Sequence, residues 1–278
     1  MKFEKITIPK RQNFKRPNFI ILISKRQRFI ISAFLLSIGL LAIQFANISW
    51  RYQAIFGLTV LTYILSAWSL KEGLSGIEWL TVLILPTLFT SGVGLFYFLL
   101  PSSWLARLPI AVLYGLGLYA LLLTENIFAV AAIRNIQLLR AAHAVGFLLT
   151  LLTGFFLYNT ILSFRFSFWL NFVLVFIASL PLLIQGLWSI NLEEKISQQI
   201  WFYSVALSLI IAEGALALSF WPVTVSASSL ALITIMYVVL GLTQHQLSQR
   251  LFKRTINEYL LVGIVVLAVI ILTTQWGG

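Results

Sequence analysis

Lys25-Arg-Gln-Arg28-Phe29-Ile-Ile-Ser-Ala-Phe-Leu-Leu-Ser-Ile-Gly-Leu-Leu-Ala-Ile-Gln44-Phe-Ala-Asn-Ile-Ser49 is the stretch that decides the fold. Three cations are followed by an uncharged run, 29–49, that is long enough to cross a bilayer, which takes about 20 apolar residues as a helix. Lipid offers a backbone no hydrogen-bond partners, so such a run must satisfy its own N–H and C=O groups and be helical. The cations in front of it belong on the inner side of a membrane.

The same pattern repeats along the chain. Spans are expected at 29–49, 52–70, 76–100, 104–124, 141–162, 166–190, 200–221, 225–244 and 258–276. The 278 residues are 60% hydrophobic and only 10% charged. A soluble domain carries about 25% charged residues, so most of this surface is built for lipid. Residues 1–28 form a basic cytoplasmic tail, and 29–278 a single transmembrane helical domain. The tail and first run mimic a secretory signal, but no small-x-small cleavage site follows, so a retained anchor is expected.

Charge orients this threading. With the N-terminus inside, the inner side collects Lys2, Lys5, Lys10, Arg11, Lys15, Arg16, Lys25, Arg26 and Arg28 from the tail. It also takes Lys71, Arg134, Arg140, Lys195, Arg250, Lys253 and Arg254. The outer side has Arg51, Arg107 and Arg165, and the C-terminus falls outside. That asymmetry is the positive-inside pattern. Trp50, Trp79, Trp104, Trp188, Trp201, Trp221 and Trp276 sit near span ends, where aromatic belts belong. The class is an all-α polytopic membrane protein of about nine transmembrane helices, multi-pass in the cell (plasma) membrane. Its partners are the bilayer and anionic lipid of the inner leaflet, with room for a membrane-protein partner. The net charge of +11 lies at helix ends and is read as topology and lipid attraction, not nucleic-acid binding.

Several chemistries are excluded. There is no Cys, hence no disulfide or thiolate metal site. There is no Asp, hence no aspartyl dyad. His143 and His245 are the only histidines, too few for a zinc site. No metal and no cofactor are expected, and no nucleotide or haem motif occurs.

Two places can hold chemistry. Glu213 lies in Ser208-Leu-Ile-Ile-Ala-Glu-Gly-Ala-Leu-Ala-Leu-Ser219, without a basic residue in its span. A carboxylate at bilayer depth costs about 2.5–3.5 kcal/mol on insertion scales. Glu213 is therefore expected to face the bundle interior, as a candidate proton or cation site. The small neighbours Ala212, Gly214, Ala215 and Ala217 allow close helix approach. The second place is the link between spans four and five, 124–143, which has no Gly or Pro and is expected to be helical. At helical spacing Glu125, Asn126, Arg134, Gln137, Arg140 and His143 share one half of the wheel, an inner-face polar cluster. It can line a vestibule, with Arg134 and Arg140 on phosphate or lipid headgroups, or lie as an interfacial helix on the inner leaflet.

Gly73-Leu-Ser75-Gly76 and Ala142-His143-Ala-Val-Gly146, with Trp50-Arg51, resemble fragments of the rhomboid intramembrane serine proteases. The resemblance implies a Ser75–His143 dyad. It covers about a dozen residues, span two lacks the family's His and Asn, and Trp50-Arg51 falls on the wrong side. Gly73 and Gly76 also suit a turn into span three. The segment Thr124-Glu-Asn-Ile-Phe through Leu138-Leu-Arg-Ala-Ala-His143 resembles uncharacterised polytopic membrane proteins of bacteria with reduced genomes, which implies no activity. Three functions remain open: a small transporter or permease with an intramembrane carboxyl, a structural or assembly subunit, and a membrane enzyme on lipid-linked or peptide substrates.

Overall fold

The computed structural model describes residues 24–43, 45, 48–100, 104–132 and 138–274. Among them are nine α-helices and no strand: α1 (Lys25–Ile43), α2 (Arg51–Leu70), α3 (Glu78–Tyr97), α4 (Trp104–Ala131), α5 (Leu139–Ser163), α6 (Phe168–Asn191), α7 (Gln198–Leu218), α8 (Val225–Leu247) and α9 (Lys253–Thr273). Each is long and apolar enough to cross a membrane. Polar side chains do not interrupt them, because hydroxyls bond back to the preceding turn. Thr62 donates to the Leu58 carbonyl, Thr150 to Gly146, Thr153 to Leu149 and Ser208 to Ser204. Such back-bonding satisfies a hydroxyl where no water is available.

Every expected run contains a helix, but the boundaries move. α1 begins at Lys25, so Lys25, Arg26 and Arg28 belong to its first turn and not to the tail; 1–23 lies outside the described residues. α4 continues past 124 to Ala131. The expected link helix 124–143 is thus divided: its first part extends α4, Ala132 turns, and Leu139–His143 opens α5. α4 and α5 pack side by side. Arg134 and Gln137 lie outside the described residues. His245, expected in a loop, is in the last turn of α8.

Consecutive helices pack as neighbours through short connections, and α3 and α5 sit centrally. α3 touches α2, α4, α5 and α6; α5 touches α3, α4, α6 and α8. Close approach comes from small residues, as expected where helices pack in apolar surroundings. A Cβ on Gly92 would lie 3.2 Å from Leu157, and one on Gly117 would lie 2.8 Å from the Phe89 ring. Of the described cations, Lys25, Arg26, Arg28, Lys71, Arg140, Lys195, Arg250, Lys253 and Arg254 fall at one end of the bundle, and Arg51, Arg107 and Arg165 at the other.

At the cation-rich end Arg28 and Lys25 (3.2 Å) pair with Glu72 and tie the start of α1 to the end of α2. The Arg28 hydrogen bond, with Lys25 adding, holds the Glu72 carboxyl below its ordinary 4.5. A depressed carboxyl contributes stability that is present above the unfolded value and lost as pH falls through the folded one. Glu72→Gln is therefore expected to lower thermal stability in detergent at neutral pH, by less than about 1 kcal/mol for so exposed a pair. The difference from the parent should vanish well below pH 4.5.

α9 is the outlying helix. It packs on α8, and only Gly263 and Ile270 of its residues are buried. Gly241 of α8 makes room for the Tyr259 ring, which would collide with a Cβ there. Tyr259 lies between Tyr237 (centroids 4.7 Å) and His245 (5.7 Å). Overpacking of this kind costs about 1–3 kcal/mol. Gly241→Leu is expected to pull α9 from α8. The readout is a disulfide between Val238→Cys and Gly263→Cys, positions in close contact here, in a chain with no other Cys. The bridge should form with Gly241 and fail with Leu.

Candidate functional site

α4 presents Leu118, Leu121, Leu122, Glu125, Phe128 and Ala129 to the core, at helical spacing. Glu125 thus falls on the buried stripe, and the extension of α4 carries it inside the bundle, where it is fully buried. Gln185, 60 residues away on α6, donates from Nε2 to Glu125 Oε1 at 2.8 Å. Two buried oxygens are left without a partner among the described residues: Glu125 Oε2 and Gln185 Oε1. The ion pairs of the described residues involve Glu72 and Glu258, and no cation pairs with Glu125.

The polar path continues along α6. Ser189, one turn after Gln185, receives His143 of α5: Nε2 lies 2.8 Å from the Ser189 carbonyl oxygen. The imidazole stacks on Phe128 of α4, centroids 5.5 Å apart. Gln244 of α8 donates to the Gly186 carbonyl at 2.8 Å, and the Ser189 hydroxyl donates to the same oxygen. Three helices therefore address one polar segment of α6, with α4 supplying the carboxyl, α5 the imidazole and α8 the amide.

Of the expected inner-face cluster, Glu125 and His143 meet on α6. Asn126 is half-buried beside Glu125, and Arg140 is exposed at the start of α5. Gln185, Ser189 and Gln244 complete the site.

Glu213 is corrected in its placement. It is exposed, on the outer face of α7. α7 packs through Ser204, Leu207, Ser208, Ile211, Ala212, Ala215 and Leu218. The small residues that marked close packing do pack, but one residue turns the helix by about 100°, and Glu213 points away from them.

The rhomboid-like fragment also separates. The Glu78 carboxylate accepts from the Ser75 backbone N–H at 2.9 Å, one arm of a capping box at the start of α3. Gly76 takes a positive φ of 51°, a conformation that favours glycine. Gly-Leu-Ser-Gly is thus a helix-start turn, and the His143 Nε2 contact is with Ser189, not Ser75.

Two unpartnered oxygens are far from the roughly six that a hard metal cation takes. They match one proton. A protonated carboxyl offers one O–H donor, and a proton on Oε2 supplies the donor that Gln185 Oε1 lacks.

A protein-family model described as "Protein of unknown function (DUF5656)" matches residues 65–273. The match takes in α3 to α9 and every residue of the Glu125 site. No curated protein and no solved structure matches the chain.

Proposed function

The chain belongs to the DUF5656 family, a premise that assigns no activity, and we propose that it is an integral membrane protein acting as a small proton-linked carrier. Its N-terminus lies inside and its C-terminus outside the cell membrane. The membrane reading is supported by nine long apolar helices and by a surface rich in exposed apolar side chains, among them Phe56, Leu105, Phe202 and Leu272. Soluble monomers rarely expose apolar surface on that scale. The distribution of cations between the two ends supports that orientation.

One observation carries the carrier reading: a fully buried carboxyl on α4 whose only hydrogen-bond partner among the described residues is an amide on α6. An ionised carboxylate in such a place costs several kcal/mol without a cation. The neutral acid closes a ring with Gln185 through two hydrogen bonds. Withdrawing Glu125 on α4 from Gln185 on α6 breaks both bonds, hydrates the carboxyl and releases its proton. Proton binding and the closing of this side-chain bridge are thereby one equilibrium.

Side-specific labelling of single cysteines tests this. In proteoliposomes Ser179→Cys, deep in α6, should react with an impermeant maleimide in a pH-dependent way. With Glu125→Gln the labelling should lose its pH dependence. A cysteine that is unreactive at every pH would make the Glu125–Gln185 pair a static brace. An assembly subunit is the second reading, and it is favoured by the exposed carboxyl of Glu213 on α7.

A further inference from the structure

A groove of about 430 Å³ runs along the seam between α1 and α4, on the surface of the bundle. α1 starts at the cation-rich end and α4 at the other, so the seam is antiparallel. Small residues bring the two helices together. The Ser37 hydroxyl donates to the Ala111 carbonyl at 2.7 Å, and a Cβ on Gly115 would lie 3.3 Å from Ser37. Ala33, Ser37 and Gly115 therefore leave a hollow between larger neighbours. Ile30, Phe34 and Ile38 of α1 wall it on one side, Val112 and Leu116 of α4 on the other, and all five are exposed.

Length, polarity and charge define what fits. Along α1 the groove extends from Ile30 to Leu41, about 16 Å at the rise of a helix. That is close to one leaflet, half of a hydrocarbon core about 30 Å thick. Its lining is apolar except for Ser37 and Tyr119, and the Ser37 hydroxyl is already bonded. The charge stands at the cation-rich end. Arg26 lies one turn before Ile30 on the same face of α1, is exposed, and makes no ion pair or hydrogen bond among the described residues. Lys25 and Arg28 instead serve Glu72 on the α2 side. Ser37 is level with the 111–115 segment of α4. In an antiparallel pair Arg26 is then level with 122–126. Asn126 falls there, two turns beyond Tyr119 on the groove face of α4. It is half-buried and makes no hydrogen bond among the described residues.

We propose that this groove seats one acyl chain of an anionic phospholipid of the inner leaflet, with its phosphate at Arg26 and Asn126. The chain lies over Ala33, Ser37 and Gly115 between the apolar walls. The Arg26 fork offers the phosphate two parallel N–H donors, and the Asn126 amide adds another. A zwitterionic lipid brings the same chain and phosphate but also its own cation, so Arg26 selects on net charge. A partner helix fits less well. It would need an apolar face of about 20 residues to follow it across the bilayer, whereas the groove is one leaflet deep and leads to an unpaired cation. The inference rests on the membrane reading and its orientation; nothing in it depends on proton binding at Glu125.

The test is quenching of a bimane label by lipids that carry a nitroxide on the acyl chain, with the full chain in phosphatidylcholine vesicles. The label sits at Leu116→Cys, in a chain with no other Cys. Ile264→Cys is the comparison, exposed on α9 outside the groove. At Leu116→Cys, spin-labelled phosphatidylglycerol should reach half-maximal quenching at about one-fifth of the mole fraction that phosphatidylcholine needs, the ratio given by about 1 kcal/mol per cation near the membrane surface. At Ile264→Cys the ratio should be clearly smaller. Arg26→Gln, at an exposed position, should bring the two lipids together at Leu116→Cys. Val112→Trp, which fills the groove from an exposed position, should do the same with Arg26 in place. Equal quenching by the two lipids at Leu116→Cys, the same ratio at both positions, or a ratio unchanged by Arg26→Gln overturns the proposal. So does a disulfide between two copies of Leu116→Cys, which would give the groove to a second chain. Quenching by neither lipid at either position would overturn the membrane reading itself.

Discussion

Glu125→Gln is expected to accumulate as folded protein, and Glu125→Lys is expected not to. The glutamine can close the same ring on Gln185, since its amide N–H supplies the donor that Gln185 Oε1 lacks. Two hydrogen bonds replace two, and the change in stability should stay within about 1 kcal/mol. Lysine places a full charge where Glu125 has no solvent exposure, facing the Gln185 amide. An uncompensated buried charge costs about 3–5 kcal/mol, a large share of the roughly 5–15 kcal/mol that holds a domain together. Monodisperse yield and thermal unfolding in detergent separate the two variants. If Glu125→Gln were as damaging as Glu125→Lys, the carboxylate would have to be ionised and paired with a cation.

Glu213→Leu has the opposite sign and is expected to stabilise the isolated protein. Glu213 is exposed on α7, five residues before its end at Leu218. In a helix the side chains tilt toward the N-terminus, so the carboxyl leans toward the middle of the bundle's length and away from the nearer end. It cannot easily reach the headgroups. Insertion scales put the exchange of an acid for leucine at about 3 kcal/mol for a central position, and somewhat less here. Thermal unfolding in lipid nanodiscs should show the gain. A fall in stability, or the loss of a copurifying partner, would mean that another helix covers Glu213, which is the assembly-subunit reading.

The contrast between Glu125 and Glu213 shows what could be read in the residues. Both were visible as rare acids in apolar surroundings. The helices themselves were legible because a hydropathic run is a local property. Which face of a helix packs is not local. At Glu213 the small neighbours marked the packing face of α7, yet the acid sits about 100° round from Ala212. At Glu125 the neighbouring Asn126, Arg134 and Gln137 suggested a surface link, and the spacing to Leu118, Leu121, Leu122 and Phe128 was the better guide. The pairing of Glu125 with Gln185 spans 60 residues, and no periodicity within either helix encodes it. Ser75 was misleading because S-x-x-E is also a helix-start signal, and Glu78 stands at the position that makes it one.

Infrared difference spectroscopy on the protein in liposomes, against Glu125→Gln, bears most directly on the carboxyl–amide centre. The account predicts a protonated-carboxyl band at neutral pH that Glu125→Gln removes and that Gln185→Leu shifts, because the carboxyl then loses its hydrogen bond to the amide. A carboxylate band at Glu125 under the same conditions, or spectra indistinguishable between the parent and Glu125→Gln, would contradict it.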